Sequence, residues 1–393
     1  MKKVLLAVDW SNIAFRSLYM AAGFGSGQKY TYDYQEEINS YIAKMAADIS
    51  YLLRMFTPNK IVFCADSKHS WRKDVLETYK GNREKSSSYN WENIFKALDT
   101  FKAHLMELGY VFAEAPHAEA DDMLGLIKDL VFNDPDFVDY NVILVSSDAD
   151  IRQLIDFNKL NHKYCMVFNE IGKGKGGFRR LFCNIDIEKW YNQEKEASIN
   201  DIFDMGIDFD KNYIKNVIAH NQKVKLEVTD PENILLSKIF CGDDGDNVPA
   251  FYDWYNNKGK KVRITNSKFV KILELMEAHN IEDIDENKDN LQEVIETVIK
   301  RKITDIDVIE RLKRQKKLVE LKPSLFPQEI QDYEMVLKGN ILKQEQINFY
   351  EINMKSLIQG SEFEEVLKKN RAKDADIFKN LNNYVDKTIQ TLW

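Results

Sequence analysis

Nine acidic side chains carry the chemistry that can be read from this 393-residue chain, and they arrive in short groups. Asp9 follows the apolar run Val4 to Val8, and Asp66 follows Ile61 to Ala65. Glu119, Asp121 and Asp122 come a few residues after Val111 to Ala113, and Asp148 and Asp150 follow Val142 to Val145. Asp243 and Asp246 sit in the string Gly242-Asp243-Asp244-Gly245-Asp246-Asn247-Val248-Pro249. Carboxylates gathered in one cleft repel, and they protonate or force the structure apart unless cations neutralise them. Nine exceed the pair that glycosidic acid–base chemistry needs. With no His or Cys beside them, oxygen ligands select hard cations, Mg²⁺ first, with Mn²⁺ able to replace it. Two such ions about 4 Å apart stabilise the attacking and leaving oxygens of a phosphodiester displacement. The plain alternative is that Asp caps turns and helices after strands. That explains any one position more easily than four strand ends together.

The elements that must position these groups follow from periodicity. The four apolar runs have strand length, and Ile38 to Phe56 and Ile94 to Leu108 repeat apolar residues at helical spacing. Strands alternating with helices predict an α/β fold, a mostly parallel sheet with helices on both faces, and ligands then lie beyond the carboxyl ends of the strands. Between Asp66 and Lys85 the chain carries His69, Arg72, Lys73, Lys80, Arg83 and Lys85. Read as a helix, this stretch places Arg72, Tyr79 and Arg83 on one face. A basic segment beside an acidic cleft suits a clamp on a polyanion; a solvated helix face is the bland reading. Pro231 to Cys241 reads as a helix, and Lys300 to Lys317 is rich in basic residues. The loop Gly172 to Gly177 lacks the phosphate-binding pattern that ends in Lys-Ser or Lys-Thr.

Composition bounds the rest. Apolar residues make up 44% of the chain, and Gly and Pro are sparse, which favours a helix-rich globular protein of two or three domains. The net charge of −8 excludes a plainly basic nucleic-acid binder, yet with the nine carboxylates set apart the remainder is close to balance. Four scattered cysteines without a Cys-x-x-Cys pair argue against a disulfide scaffold or structural zinc, and a reducing, cytoplasmic setting is expected. The apolar run near the N-terminus is too short for a secretory signal and no window is long enough to span a membrane.

The motifs resemble those of the flap-endonuclease family of 5′ nucleases, and within it most closely the T4-type phage ribonuclease H branch. Asp9-x-x-Asn12-x-x-Phe15-Arg16 is similar to the first family motif. Asp66 with Trp71-Arg72-Lys73 and Tyr79-Lys80-Gly81-Asn82-Arg83 is similar to the second, Glu119-Ala120-Asp121-Asp122 to the third, and Ser146-Ser147-Asp148-x-Asp150 with Gln153-Leu154 to the fourth. Gly242-Asp243-x-x-Asp246-Asn247-x-Pro249 is similar to the fifth, and the order is the family order. The glycine-rich hairpin expected after the fifth motif is replaced by Ala250-Phe251-Tyr252-Asp253-Trp254.

The resemblance implies two Mg²⁺ ions, one at Asp9, Asp66, Glu119, Asp121 and Asp122, the other at Asp148, Asp150, Asp243 and Asp246. It implies that Lys80 and Arg83 meet the scissile phosphate, and that Arg16, Arg72, Lys73 and Tyr79 lie on nucleic acid. For Tyr79 a core role stays equally open. Arg311, Lys313 and Arg314 are expected on duplex phosphates. The implied activity is structure-specific 5′ hydrolysis of RNA–DNA hybrid and of flapped or nicked DNA, as in primer removal during replication. The chain divides into a catalytic domain, 1–235, with an arch at about 68–95 and an insertion at about 156–232. A helical duplex-binding region, 236–360, and a tail, 361–393, follow. The tail's apolar stripe would dock on the core or meet a single-strand-binding protein or sliding clamp, and a monomer is expected. Two rivals stand beside this reading. A PIN-type ribonuclease has fewer carboxylates and lacks the Tyr-Lys-Gly-Asn-Arg string. A non-catalytic fork-binding protein has no need of every carboxylate.

Overall fold

The computed structural model of the chain describes residues 3–21, 30–82, 88–173, 178–189, 224–256, 258–281, 288–304 and 306–345. The four expected strands are β1 (Lys3–Asp9), β2 (Lys60–Cys64), β3 (Val111–Ala113) and β4 (Tyr140–Val145). They are followed by β5 (Asp156–Asn158), β6 (Lys163–Lys173), β7 (Phe178–Cys183) and β8 (Val224–Val228). All join one sheet in the order β3-β2-β1-β4-β6-β7-β8, with β5 paired to β6. The pairs from β3 to β6 along this order are parallel, and β6 runs antiparallel to β5 and β7. Described residues of the stretch read as an insertion thus continue the sheet, because Tyr164 to Phe168 is itself a strand-length apolar run that buries completely beside β4.

Helices cover both faces, as the fold class expected from the sequence requires. On one face lie α1 (Trp10–Ala21), α2 (Gln35–Phe56) and α4 (Trp91–Glu107), packed through one apolar cluster. α2 buries Ile38, Ile42, Met45, Ile49, Leu52 and Phe56, a spacing of three and four that keeps one side on the sheet. Burying each such side chain contributes roughly 1.5–3 kcal/mol. The opposite face carries α5 (Ala120–Asn133) and, from much later in the chain, α10 (Gln328–Lys343). A separate apolar cluster unites α6 (Pro231–Cys241), α7 (Asn266–Ala278), α8 (Lys288–Ile299) and α9 (Val308–Val319). The segment read as one helical region is therefore divided between this cluster and the sheet.

The expected helix from 72 to 83 is not formed. Only α3 (Arg72–Val75) is helical; Leu76 is extended, and Lys80 takes a left-handed backbone at φ 54°. The Lys80 N–H then donates to the Asp246 carbonyl at 2.8 Å, so a long-range contact replaces the helical ladder. Arg83 lies outside the described residues, as do residues 346–360 of the helical region and the tail, 361–393.

Candidate active site

β1, β2 and β4 lie side by side and run in parallel, so their carboxyl ends open on the same edge. Asp9 ends β1 and accepts from the Asn12 N–H at 2.9 Å and the Ser146 hydroxyl at 3.0 Å. Asp66 accepts from the Ser11 hydroxyl and from the Ala120 N–H, at 2.8 Å, at the start of α5. The N-terminal turn of a helix favours such an anion. Asp148 accepts from the Asp150 N–H at 3.0 Å. Burial pushes Asp9 up to about 7, and the charges of Asp66 and Asp148 add to it. Asp121 is raised well above the usual carboxylate range, first by burial, then by Asp9 and Asp148. These four carboxylates thus feel one another across the cleft.

The remaining five meet cations of the chain itself. Asp122 is fully buried, and Arg72 donates to both its oxygens, at 2.7 and 3.0 Å. The Trp71 indole N–H and the Glu119 N–H complete that carboxylate, at 3.0 and 2.9 Å. Glu119 accepts from Arg72 at 3.0 Å, from the Tyr79 hydroxyl at 2.8 Å and from Lys80 at 2.5 Å. Tyr79 also reaches Asp246, at 2.9 Å, and Lys80 lies 3.7 Å from it. Lys238, near the end of α6, is paired with Asp150 at 2.7 Å and Asp243 at 2.5 Å. Burial works against the Lys80 and Lys238 charges, but the carboxylates around each outweigh it and raise both. Asp150 still sits up at about 7, through burial and then Asp148, against the pull of Lys238. Asp243 is held below its ordinary value because Lys238 and the Gly245 N–H outweigh its burial.

The loop that carries Asp243 and Asp246 closes on itself. The Asp243 N–H donates to the Val248 carbonyl at 2.9 Å and the Val248 N–H donates back at 2.8 Å. Gly242 stands at φ 74°, and a Cβ there would lie 2.5 Å from the Val248 oxygen, so only glycine fits. Asp244 turns outward to a two-armed pair with Arg263.

The sequence-derived site residues therefore fall into three groups. Asp9, Asp66, Glu119, Asp121, Asp148, Asp150, Asp243, Asp246 and Lys80 come together at the sheet edge. Arg72, expected on nucleic acid, is only 2% exposed, and its guanidinium is taken up by Asp122, Glu119 and the Leu318 carbonyl. Asp122, expected as a metal ligand, is correspondingly closed by four donors. Tyr79 takes the core role, 3% exposed and bridging two carboxylates, with no face left for a base. Arg16 is paired with Asp48 and Glu170. Lys73, Lys313 and Arg314 are exposed, while Arg311 donates to the Phe251 carbonyl at 3.1 Å. The sequence reading missed Lys238. Its signal was available in its position five residues before Asp243, within the predicted helix.

The donor chemistry fits hard divalent cations. It is all oxygen and crowded, and the neighbouring carboxylate charges add to the burial that raises Asp9 and Asp121. Among the described residues no three His, Cys, Asp or Glu side chains are drawn together around a single point. Mg²⁺ commonly keeps several waters and takes phosphate oxygens as further ligands, which suits a looser set. Asp9, Asp66, Asp121 and Asp148 are the groups that would hold it.

Residues 4–173 match the family model of the 5′-3′ exonuclease N-terminal, resolvase-like domain, in agreement with the resemblance of the motifs. No curated protein sequence gives a match. Among solved structures, the chain is similar to the D15 protein of bacteriophage T5 co-crystallised with metal ions, at 17% identity and a TM-score of 0.49, over 86% of this chain and 100% of that one. The D15 flap endonuclease of the same phage in a complex with DNA and metal ions gives 17% and 0.49, over 87% and 100%. Human GEN1 bound to Holliday junction DNA gives 15% and 0.34, over 85% and 71%.

Proposed function

We propose that this chain, whose residues 4–173 match the family model of the 5′-3′ exonuclease N-terminal, resolvase-like domain, is a divalent-metal-dependent, structure-specific 5′ nuclease. The observation that carries the reading is the convergence of Asp9, Asp66, Asp121 and Asp148 on one sheet edge, with the Lys80 ammonium beside them. Bound Mg²⁺ or Mn²⁺ would lower the pKa of water and stabilise charge on the leaving oxygen. The chain's own residues do the remaining work. Asp9 and Asp66, fixed by Ser146, Asn12, Ser11 and Ala120, hold the ligand oxygens in place. Lys80 presents a positive charge where a phosphate would enter, and a charge so placed stabilises the phosphorane-like transition state more than the bound ester. Water adds to phosphorus, the bond to the 3′-oxygen breaks, and a 5′-phosphate and a 3′-hydroxyl remain. Substrates of this class are 5′-flapped or nicked duplex DNA and RNA–DNA hybrid, as in primer removal.

Labelled flap, nicked duplex, hybrid and single-stranded RNA separate the readings. The expected result is shortening from the 5′ end of the flap and the hybrid in Mg²⁺ and none in EDTA, with Ca²⁺ bound but unproductive. Cleavage of single-stranded RNA alone would favour a PIN-type ribonuclease. Tight binding of forked DNA with no hydrolysis in any metal would favour a fork-binding protein.

A further inference from the structure

The end of the basic helix α9 is fastened to the acidic edge, and the fastening uses side chains that bear none of the proposed chemistry. Gln153 lies in the short turn Asp150–Leu154, three residues beyond Asp150. Its amide N–H donates to the Val319 carbonyl at 3.1 Å, and its amide oxygen accepts from the Leu321 N–H at 2.9 Å. Both backbone groups sit just where α9 stops, so one side chain satisfies an orphan carbonyl of the helix end and the N–H beyond it. Gln153 also shares the small cleft lined by Asp121, Asp150, Asp243 and Asp246 with Leu318 and Leu321. Further ties run from the other acidic segments: Arg72 to the Leu318 carbonyl at 2.8 Å, and Gln315 to the Pro249 carbonyl at 2.6 Å. α9 buries Val308, Leu312, Gln315 and Leu318 and leaves Lys313, Arg314 and Lys317 exposed, Arg314 also reaching the Val75 carbonyl at 3.4 Å. At 1.5 Å per residue the twelve-residue helix is about 18 Å long.

We propose that Gln153 is a positioning residue that fixes the offset between a duplex-phosphate grip on α9 and the carboxylates that cut, and so selects the phosphodiester hydrolysed. This rests on the nuclease reading above. Lys313, Arg314 and Lys317 hold duplex phosphates and carry no sequence information; what they set is register. Gln153 turns that register into a cut position because any slide of the helix end moves the turn that carries Asp150.

The test is a single-turnover cleavage map of a labelled 5′-flap duplex in Mg²⁺. Wild-type protein is expected to give one dominant product length. Gln153→Met, which keeps the volume and removes both hydrogen bonds, is expected to spread products over two or more neighbouring lengths. Its single-turnover rate should fall several-fold while duplex affinity at fixed salt stays within about twofold, because the phosphate contacts of α9 remain. An unshifted single product from Gln153→Met overturns the proposal. Should that variant lack a folding transition, Gln153→Glu, which keeps the acceptor for the Leu321 N–H, is read in the same way. Absence of cleavage by the wild-type protein strikes the nuclease reading and this one together; wild-type cleavage with an unaltered variant pattern strikes this one alone.

Discussion

At one half of the acidic edge Glu119, Asp122, Asp150, Asp243 and Asp246 meet Arg72, Lys80 and Lys238. At the other half Asp9, Asp66 and Asp148 meet hydroxyls and backbone N–H groups, and Asp121 faces Asp9 and Asp148. Neutral donors orient a carboxylate without cancelling its charge, whereas a Lys or Arg at salt-bridge distance does both. The first half is therefore stabilised by the protein itself, while the second keeps net negative charge for an external cation. That division separates carboxylates that build the edge from those left to act on something bound there.

The largest test removes one charge from the half whose carboxylates form no salt bridge among the described residues. Asp148→Asn should lower hydrolysis by at least about 10²–10³-fold and retain flap binding, since phosphates then meet less negative charge. Single-turnover rates with a binding isotherm decide this, and full activity would dissolve the division.

Arg72→Ala addresses the other half and should act on stability. It leaves Asp122 charged and without exposure, and removal of one partner from such a buried pair costs about 3–5 kcal/mol. Arg72→Lys cannot reproduce the two-armed geometry and should fall between. Denaturant unfolding measures both. Unchanged stability with weakened DNA binding would return Arg72 to the surface role that the sequence suggested.

Arg72 shows where sequence reading reaches its limit. The strand ends were legible because an apolar run followed by Asp is a local signal, and Asp9, Asp66 and Asp148 needed nothing more. Whether a basic residue serves a ligand or a buried acid depends on what packs over it. For Arg72 that is Leu318, almost 250 residues away, and no periodicity carries that information. The turn at 76–81 was misread for the same reason: Lys80 leaves helical geometry to bond the Asp246 carbonyl. Lys238 stood in a correctly expected helix, but its partner Asp150 came from a different motif.

Lys238→Met would convert part of the self-neutralised half into the other kind. Asp150 and Asp243 would lose their shared cation, and the melting temperature without divalent ions should fall by an amount equivalent to about 1.5–3 kcal/mol. Added Mg²⁺ or Ca²⁺ should then raise the melting temperature more than it does in the wild type, because an ion that binds only the folded state stabilises it by mass action. Equal shifts in the two proteins would show that Lys238 does not stand in for a cation there.

The smallest effect is expected away from the edge, where Glu296 on α8 shows what a carboxylate answered by its own chain looks like with no site beside it. It accepts from Gln292 at 3.0 Å, Lys302 at 2.6 Å and the Ile303 N–H at 2.9 Å, and Gln292, first among these, holds it down to about 2. A carboxylate whose folded value lies below its unfolded value of 4.5 stabilises the fold above that value. The contribution is lost as pH falls from about 4.5 toward 2. Lys302 is largely exposed, so solvent screening reduces the contribution to the order of 1 kcal/mol. Glu296→Gln should therefore be slightly less stable than wild type at neutral pH, and the two melting curves should converge as the pH approaches 2. Subtracting one protein from the other cancels the titration of the acidic edge, which both share. A difference that stays constant down to pH 2 would mean that Glu296 acts through packing, and that hydrogen-bonded carboxylates in this chain do not need their charge.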